Sequence, residues 1–173
     1  MKSFYIYAIV FVVMLFVILL QFNMFNIITL LGTAPNLGVV FIVAIGLLTG
    51  KERGASYGFV YGLILDIIEG RMLGLYTLLY LILGYVVGRI GKDFSRENHT
   101  TFVAMVGICT VVFEGFAFLM GIVFNHFSIT FLYFCWELAK EVVYNMLIAI
   151  IVFKFLYGLC DLLSRTKSNY YLL

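Results

Sequence analysis

The chain has 173 residues, of which 64% are hydrophobic and 12% charged, with a single proline. A soluble chain carries about 25% charged residues, so this much apolar surface exceeds what a water-soluble core hides, and the bilayer has to be the solvent. A net charge of +2 with no basic run excludes a nucleic-acid partner. The three cysteines, Cys109, Cys135 and Cys160, are too few and too scattered for a disulfide framework or a metal spacing.

Taken in chain order, the apolar runs predict six transmembrane helices, at roughly 4–20, 36–50, 54–68, 73–90, 102–124 and 138–163. The first follows Lys2, is long for a signal core and ends in QFNMFN rather than a small-residue cleavage site, so it reads as a retained helix. The connection QFNMFNIITLLGTAPN is amphiphilic, closes on a turn signal, and is expected in the outer interface or dipping into it. Helices two and three fall short of the about 20 residues that a span needs. From Ile129 to Leu163 the first Gly or Pro is Gly158. One straight helix of that length, about 50 Å, is too long to span. ITFLYFCW is therefore expected as an interfacial lead-in, with Trp136 in the aromatic belt and the span beginning near Leu138. The whole of 1–173 reads as one six-helix domain, an all-α integral membrane protein.

The loops orient it. Lys2 marks the N-terminus, Lys51 and Arg53 follow helix two, Arg89, Lys92 and Arg96 follow helix four, and Arg165 and Lys167 lie in the C-terminal tail. The intervening loops carry only Arg71 or no Lys or Arg at all. Basic residues thus alternate, as six spans with both the N- and C-termini in the cytoplasm require. A five-span topology would leave a basic end outside.

Polar residues inside such a chain need a reason. In LILDIIEGRMLGLY, residues 63 to 76, the charges Asp66, Glu69 and Arg71 surround the outer turn between helices three and four. There a charge costs less than at midplane, and the stretch reads either as a tight helix end turned by Gly70 and Gly74 or as a docking point. Gly54, Gly58 and Gly62 recur every four residues on helix three, and Tyr76, Tyr80, Gly84 and Gly88 do so on helix four. Small residues at this spacing let helix backbones approach in lipid, so the two helices are expected to form a close hairpin. Glu114 lies about 18 Å into helix five and Lys154 about 13 Å from the inner end of helix six. They are expected to pair, or a protonated Glu114 to hydrogen-bond to a tyrosine; the functional alternative for Glu114 is a substrate or proton site. Glu137, Glu141 and Asn145 form an i, i+4 stripe expected to face the bundle or a partner, with Lys140 close enough to pair with Glu137. No HExxH, GxSxG, P-loop or CxxC spacing occurs, and the bilayer separates His99 from His126. No catalytic residue, metal site or cofactor is expected.

GLILDIIEGRMLGLYTLLYLILGYVVG, residues 62 to 88, resembles the MreD family of rod shape-determining membrane proteins, with its Asp-bearing helix, Gly-Leu turn and Gly-Tyr helix. LLQFNMFNIITLLGTAPNLGVVFIVAIGL is similar to that family's Gln-containing end of helix one and Pro-polar lead-in to helix two. The matching positions are Gln21, Pro35, Asn36, Gly62, Asp66, Gly70, Leu73, Gly74, Leu75, Tyr76, Gly84 and Tyr85, with Glu141 and Asn145 a weaker likeness in the last helix. Glu69 and Arg71 depart from the pattern. The resemblance implies a non-catalytic, multi-pass subunit of the bacterial cytoplasmic membrane that belongs to the cell-elongation complex. Its direct partner would be MreC, with MreB and the peptidoglycan glycosyltransferase–transpeptidase pair in the wider assembly. It also implies a fold similar to the substrate-binding subunits of energy-coupling-factor vitamin transporters. On that reading Asp66 and the glycine stripes would dock MreC. The alternative is a substrate-binding transporter subunit, with Asp66, Glu114 and Glu137 lining a cavity. Against it, FYIYAIVFVVMLFVILL lacks the small residues at four-residue spacing that such subunits carry in helix one.

Overall fold

The computed structural model describes the backbone of residues 2–28, 33–70, 73–91, 99–124 and 130–168, and the side chains of 8–23, 33–70, 73–91, 99–124 and 130–154. These residues form six α-helices and no strand: α1 Lys2–Ile28, α2 Leu37–Thr49, α3 Lys51–Glu69, α4 Leu75–Ile90, α5 His99–Val123 and α6 Phe131–Ser168. Large apolar side chains face outward from every helix except α2, among them Phe16, Ile67, Ile82, Val112 and Ile151. In water such a surface would aggregate; in a bilayer it meets a solvent of its own polarity. Among the described residues, α5 alone passes as a span outright by length and hydropathy, with shorter apolar helices at Ala8–Asn23, Leu37–Thr49 and Leu75–Ile90.

The short α2 is the axis of the bundle. Gly38 through Gly46 are all buried, and α2 touches each of the other five helices. Thirteen residues rise only about 20 Å, less than the hydrocarbon thickness. The helix can be short because it starts inside the protein. Thr33 and Pro35, ahead of it, are themselves buried, and irregular backbone is tolerated at membrane depth only where protein covers it. The tail of the first connection therefore does dip inward; residues 29–32 of it lie outside the described residues.

The hairpin of α3 and α4 is closed by glycine. A Cβ on Gly54 would sit 2.5 Å from the Gly84 carbonyl oxygen. On Gly58 or Gly62 it would strike the carbonyls of Tyr80 or Tyr76, and on Gly88 the backbone of Lys51. The obstacle is main chain each time, so no side-chain rotation relieves it. The stripes are consumed within the chain, in the close hairpin that their spacing led one to expect.

Two boundaries also differ from expectation. The first helix continues past residue 20 to Ile28, since QFNMFN contains no breaker and its Gln21 finds partners inside the bundle. The last helix is continuous from Phe131 to Ser168, so ITFLYFCW is not a separate lead-in. Its register against the antiparallel α5 shows how the length is accommodated. Phe118 stacks on Phe134 with ring centroids 4.0 Å apart, Gly107 lies against Met146, and Phe102 packs on Phe153. Residue 154 is thus level with the start of α5, and α6 runs on for about 20 Å beyond it.

Candidate functional site

Two polar centres organise the bundle. The first is Asp66, in the last turn of α3 and 2% exposed. Its Oδ2 accepts from the backbone N–H groups of Gly74 and Thr77, each at 2.9 Å, and from the Thr77 hydroxyl; its Oδ1 accepts from Tyr76 N–H at 3.0 Å. Tyr76 and Thr77 are the second and third residues of α4, whose amides lack intrahelical partners and are ordinarily met by an N-cap side chain. Gly74, the N-cap itself, has φ 96° and no side chain to offer. Asp66 caps its neighbour helix instead, and its own carbonyl accepts from Gly70 N–H, the αL residue that ends α3. One carboxylate thereby closes the whole turn. The carboxylate is buried and takes four hydrogen bonds within the turn. Among its described residues the turn exposes Ile67, Ile68 and Leu73 beside the charged Glu69.

The second centre surrounds the start of α2. Asn36 donates its backbone N–H to Asn145 Oδ1 at 2.8 Å and its side-chain amide to Glu114 Oε1 at 2.9 Å. Its Oδ1 accepts from Val39 N–H, capping α2, and from the Tyr80 hydroxyl at 2.8 Å. On the α1 side, Gln21 brackets the same turn, donating to the Pro35 carbonyl at 3.0 Å and accepting from Leu37 N–H at 2.8 Å. Asn145, 0% exposed, passes its amide to the Thr110 hydroxyl at 3.0 Å. The Thr33 hydroxyl donates to Glu137, which forms an ion pair with Lys140 at 2.7 Å. Along α6, Glu137 and Asn145 are about 12 Å apart, and the backbone from Thr33 to Asn36 descends alongside them. Every polar group of that descending backbone named here has a partner, as burial in low dielectric demands.

The expected Glu114–Lys154 pair does not form. The α5–α6 register, fixed by Asn145 on Thr110 and by Asn36 bridging Glu114 and Asn145, sets Glu114 on the side of Glu141. Lys154 lies about three and a half turns further along α6 and is exposed. The error lay in measuring each depth from a different helix end, when α6 overruns α5. Lys154→Ala is expected to shift the unfolding free energy in detergent by less than about 0.5 kcal/mol, readable from the thermal midpoint. The Glu137–Glu141–Asn145 stripe does turn inward. Sequence reading left out Thr33, Thr77 and Thr110 as partners, and placed Tyr80 on a packing stripe rather than in the cluster. A usable signal existed: Thr110 and Glu114 on α5 and Glu141 and Asn145 on α6 are each four apart, so the two pairs match across an antiparallel contact. Among the described residues no group of three or more His, Cys, Asp or Glu side chains is placed to hold a metal.

Fold and site together define an all-helical protein with outward apolar faces, whose buried polar side chains tie its own helices around a central short one. The family model for the rod shape-determining protein MreD matches residues 1–161, and the chain belongs to the MreD family. Neither a curated protein nor a solved structure matches it. The family is one of shape-determining membrane proteins, not a known family of enzymes.

Proposed function

We propose that the chain is a non-catalytic subunit of the bacterial cell-elongation complex that binds MreC and helps organise peptidoglycan synthesis. In this reading it crosses the cytoplasmic membrane six times, with both ends inside. The family match over residues 1–161 carries the proposal. The alternation of basic loops supports the orientation, and the outward apolar faces of α1 and α3–α6 support the multi-pass arrangement. The internal use of Asp66 and the glycines redirects the partner contact to the exposed apolar side of the α3–α4 turn. The bundle acts there as a preformed platform for a single-span partner.

The test is a mild-detergent pull-down of the tagged protein from native membranes, read by mass spectrometry. Recovery of MreC with the wall-synthesis enzymes is the expected result. Recovery of a transporter ATPase module in their place overturns it in favour of the substrate-binding subunit. Within the proposal, Ile67→Ser/Leu73→Ser is expected to lower MreC recovery several-fold without moving the thermal midpoint, because both residues are exposed.

A further inference from the structure

The open end of the α3–α4 hairpin, away from its turn, carries two cations that the bundle leaves without an anion. Gly88 brings the end of α4 against the first residue of α3: a Cβ there would lie 2.5 Å from the backbone nitrogen of Lys51. The Lys51 side chain crosses to α4, where its Nζ lies 5.9 Å from the centre of the Tyr85 ring, within cation–π range. Arg89 follows Tyr85 by four residues, one turn further along the same face of α4. Both charges therefore belong to one rim, and neither has an ion-pair partner among the described residues. Glu52 and Arg53, exposed beside them, cancel in charge. So do Lys92 and Arg96 against Asp93 and Glu97 in the connection that follows, and the rim stays positive. A second observation lies above the charges. Leu78, Ile82, Tyr85 and Arg89 recur at intervals of four, three and four residues, and all are exposed. One stripe of α4 thus runs apolar from the charges toward the turn for about 16 Å. The hydrocarbon of one leaflet is about 15 Å deep. A soluble anion would use the charges alone; an acyl chain also matches the stripe.

We infer that Lys51 and Arg89 hold the headgroup phosphate of one anionic phospholipid, whose acyl chain lies along Tyr85, Ile82 and Leu78. The guanidinium fork suits two phosphate oxygens and the ammonium adds a point charge. Tyr85, between the charges and the apolar stripe, is the residue type that favours the headgroup boundary. A phosphate held by one residue from each helix joins α3 to α4 at the end opposite the turn that Asp66 closes. The inference rests on the proposed topology, which sets this rim at the inner leaflet.

The site is tested on the purified, delipidated full chain in detergent, with bound lipid counted by native mass spectrometry. Phosphatidylglycerol and phosphatidylcholine compete at about 0.15 M salt, where exposed charges more than about 8 Å apart are screened from each other. The wild type is expected to select phosphatidylglycerol. Lys51→Gln/Arg89→Gln should lower that preference about thirtyfold, the scale of two basic residues at an anionic surface. Lys154→Gln removes an exposed cation at the same end of the bundle, on α6, and should change the preference by less than about twofold. If Lys154→Gln lowers it as far as the double variant does, the attraction belongs to the whole basic end and the site is wrong. If inorganic phosphate at equal concentration displaces the lipid, a soluble anion is the ligand and the acyl stripe has no part in binding. A wild type with no preference between the two lipids overturns the inference even if the double variant does not fold. None of these readings depends on MreC or on which side of a membrane the rim lies, so failure of the lipid site and failure of the proposed function are told apart.

Discussion

Asp66→Ala is expected to lower the unfolding free energy in detergent by about 3 kcal/mol, the scale of leaving several donors to a charged acceptor unpaired. Alanine deprives the amides of Gly74, Tyr76 and Thr77 and the Thr77 hydroxyl of their acceptor in one step. Ordinary loss of an N-cap costs about 1 kcal/mol; here the cap is buried, so water cannot step in. Asp66→Asn separates the capping role from a docking role. With its amide oxygen in the place of Oδ2, asparagine keeps the bonds to Gly74 and Thr77 and loses only Tyr76. Its midpoint should therefore lie between those of wild type and Asp66→Ala. MreC recovery should follow the midpoint across the series. An Asp66→Asn protein that melts like wild type yet no longer recovers MreC would show that the carboxylate reaches the partner, and the cap assignment would fail.

The same residue marks how far the sequence could be read. That Asp66 sits at a helix end beside a glycine turn follows from LDIIEG and LGLY. That it points inward does not, because a helix end at the interface leaves both directions open. What decides it is the three-residue spacing of Gly74 and Thr77, which aims the free amides of α4 back at α3. Helix number and the tight hairpin were legible because both rest on periodicity, which local sequence carries in full. The Glu114 partner was not, since it depends on how far one antiparallel helix slides past another, and no local pattern records that. Asn36 shows an intermediate case. The PN lead-in is visible as a turn signal, but five hydrogen bonds meet at this one residue. Its partners come from residues 39 and 40 nearby and from 80, 114 and 145 far away in the chain. The short α2 carries the same lesson. Its thirteen residues look too few until the buried Thr33 and Pro35 ahead of it are seen to extend its path through the bundle.

The largest loss is expected at Gly58. Gly58→Leu places a branched side chain on the Tyr80 carbonyl, and the first atom added already overlaps backbone. Relief requires α3 and α4 to separate along the contact shared by Gly54, Gly58, Gly62, Gly84 and Gly88. Overpacking a core costs about 1–3 kcal/mol when side chains can shift; with main chain on the far side the upper end or beyond applies. Gly58→Leu should therefore abolish a cooperative melt or lower the midpoint further than Asp66→Ala. Even Gly58→Ala should be measurably less stable than wild type. Gly115→Leu is the matched control. It lies in α5, where an added Cβ meets nothing within 4 Å, and leucine has the better helix propensity by close to 1 kcal/mol. Its midpoint should equal or exceed wild type. The pair separates close backbone contact from a general intolerance of bulk in transmembrane glycines. If both variants melt alike, in either direction, the α3–α4 hairpin is not held by the backbone approach that the glycines allow.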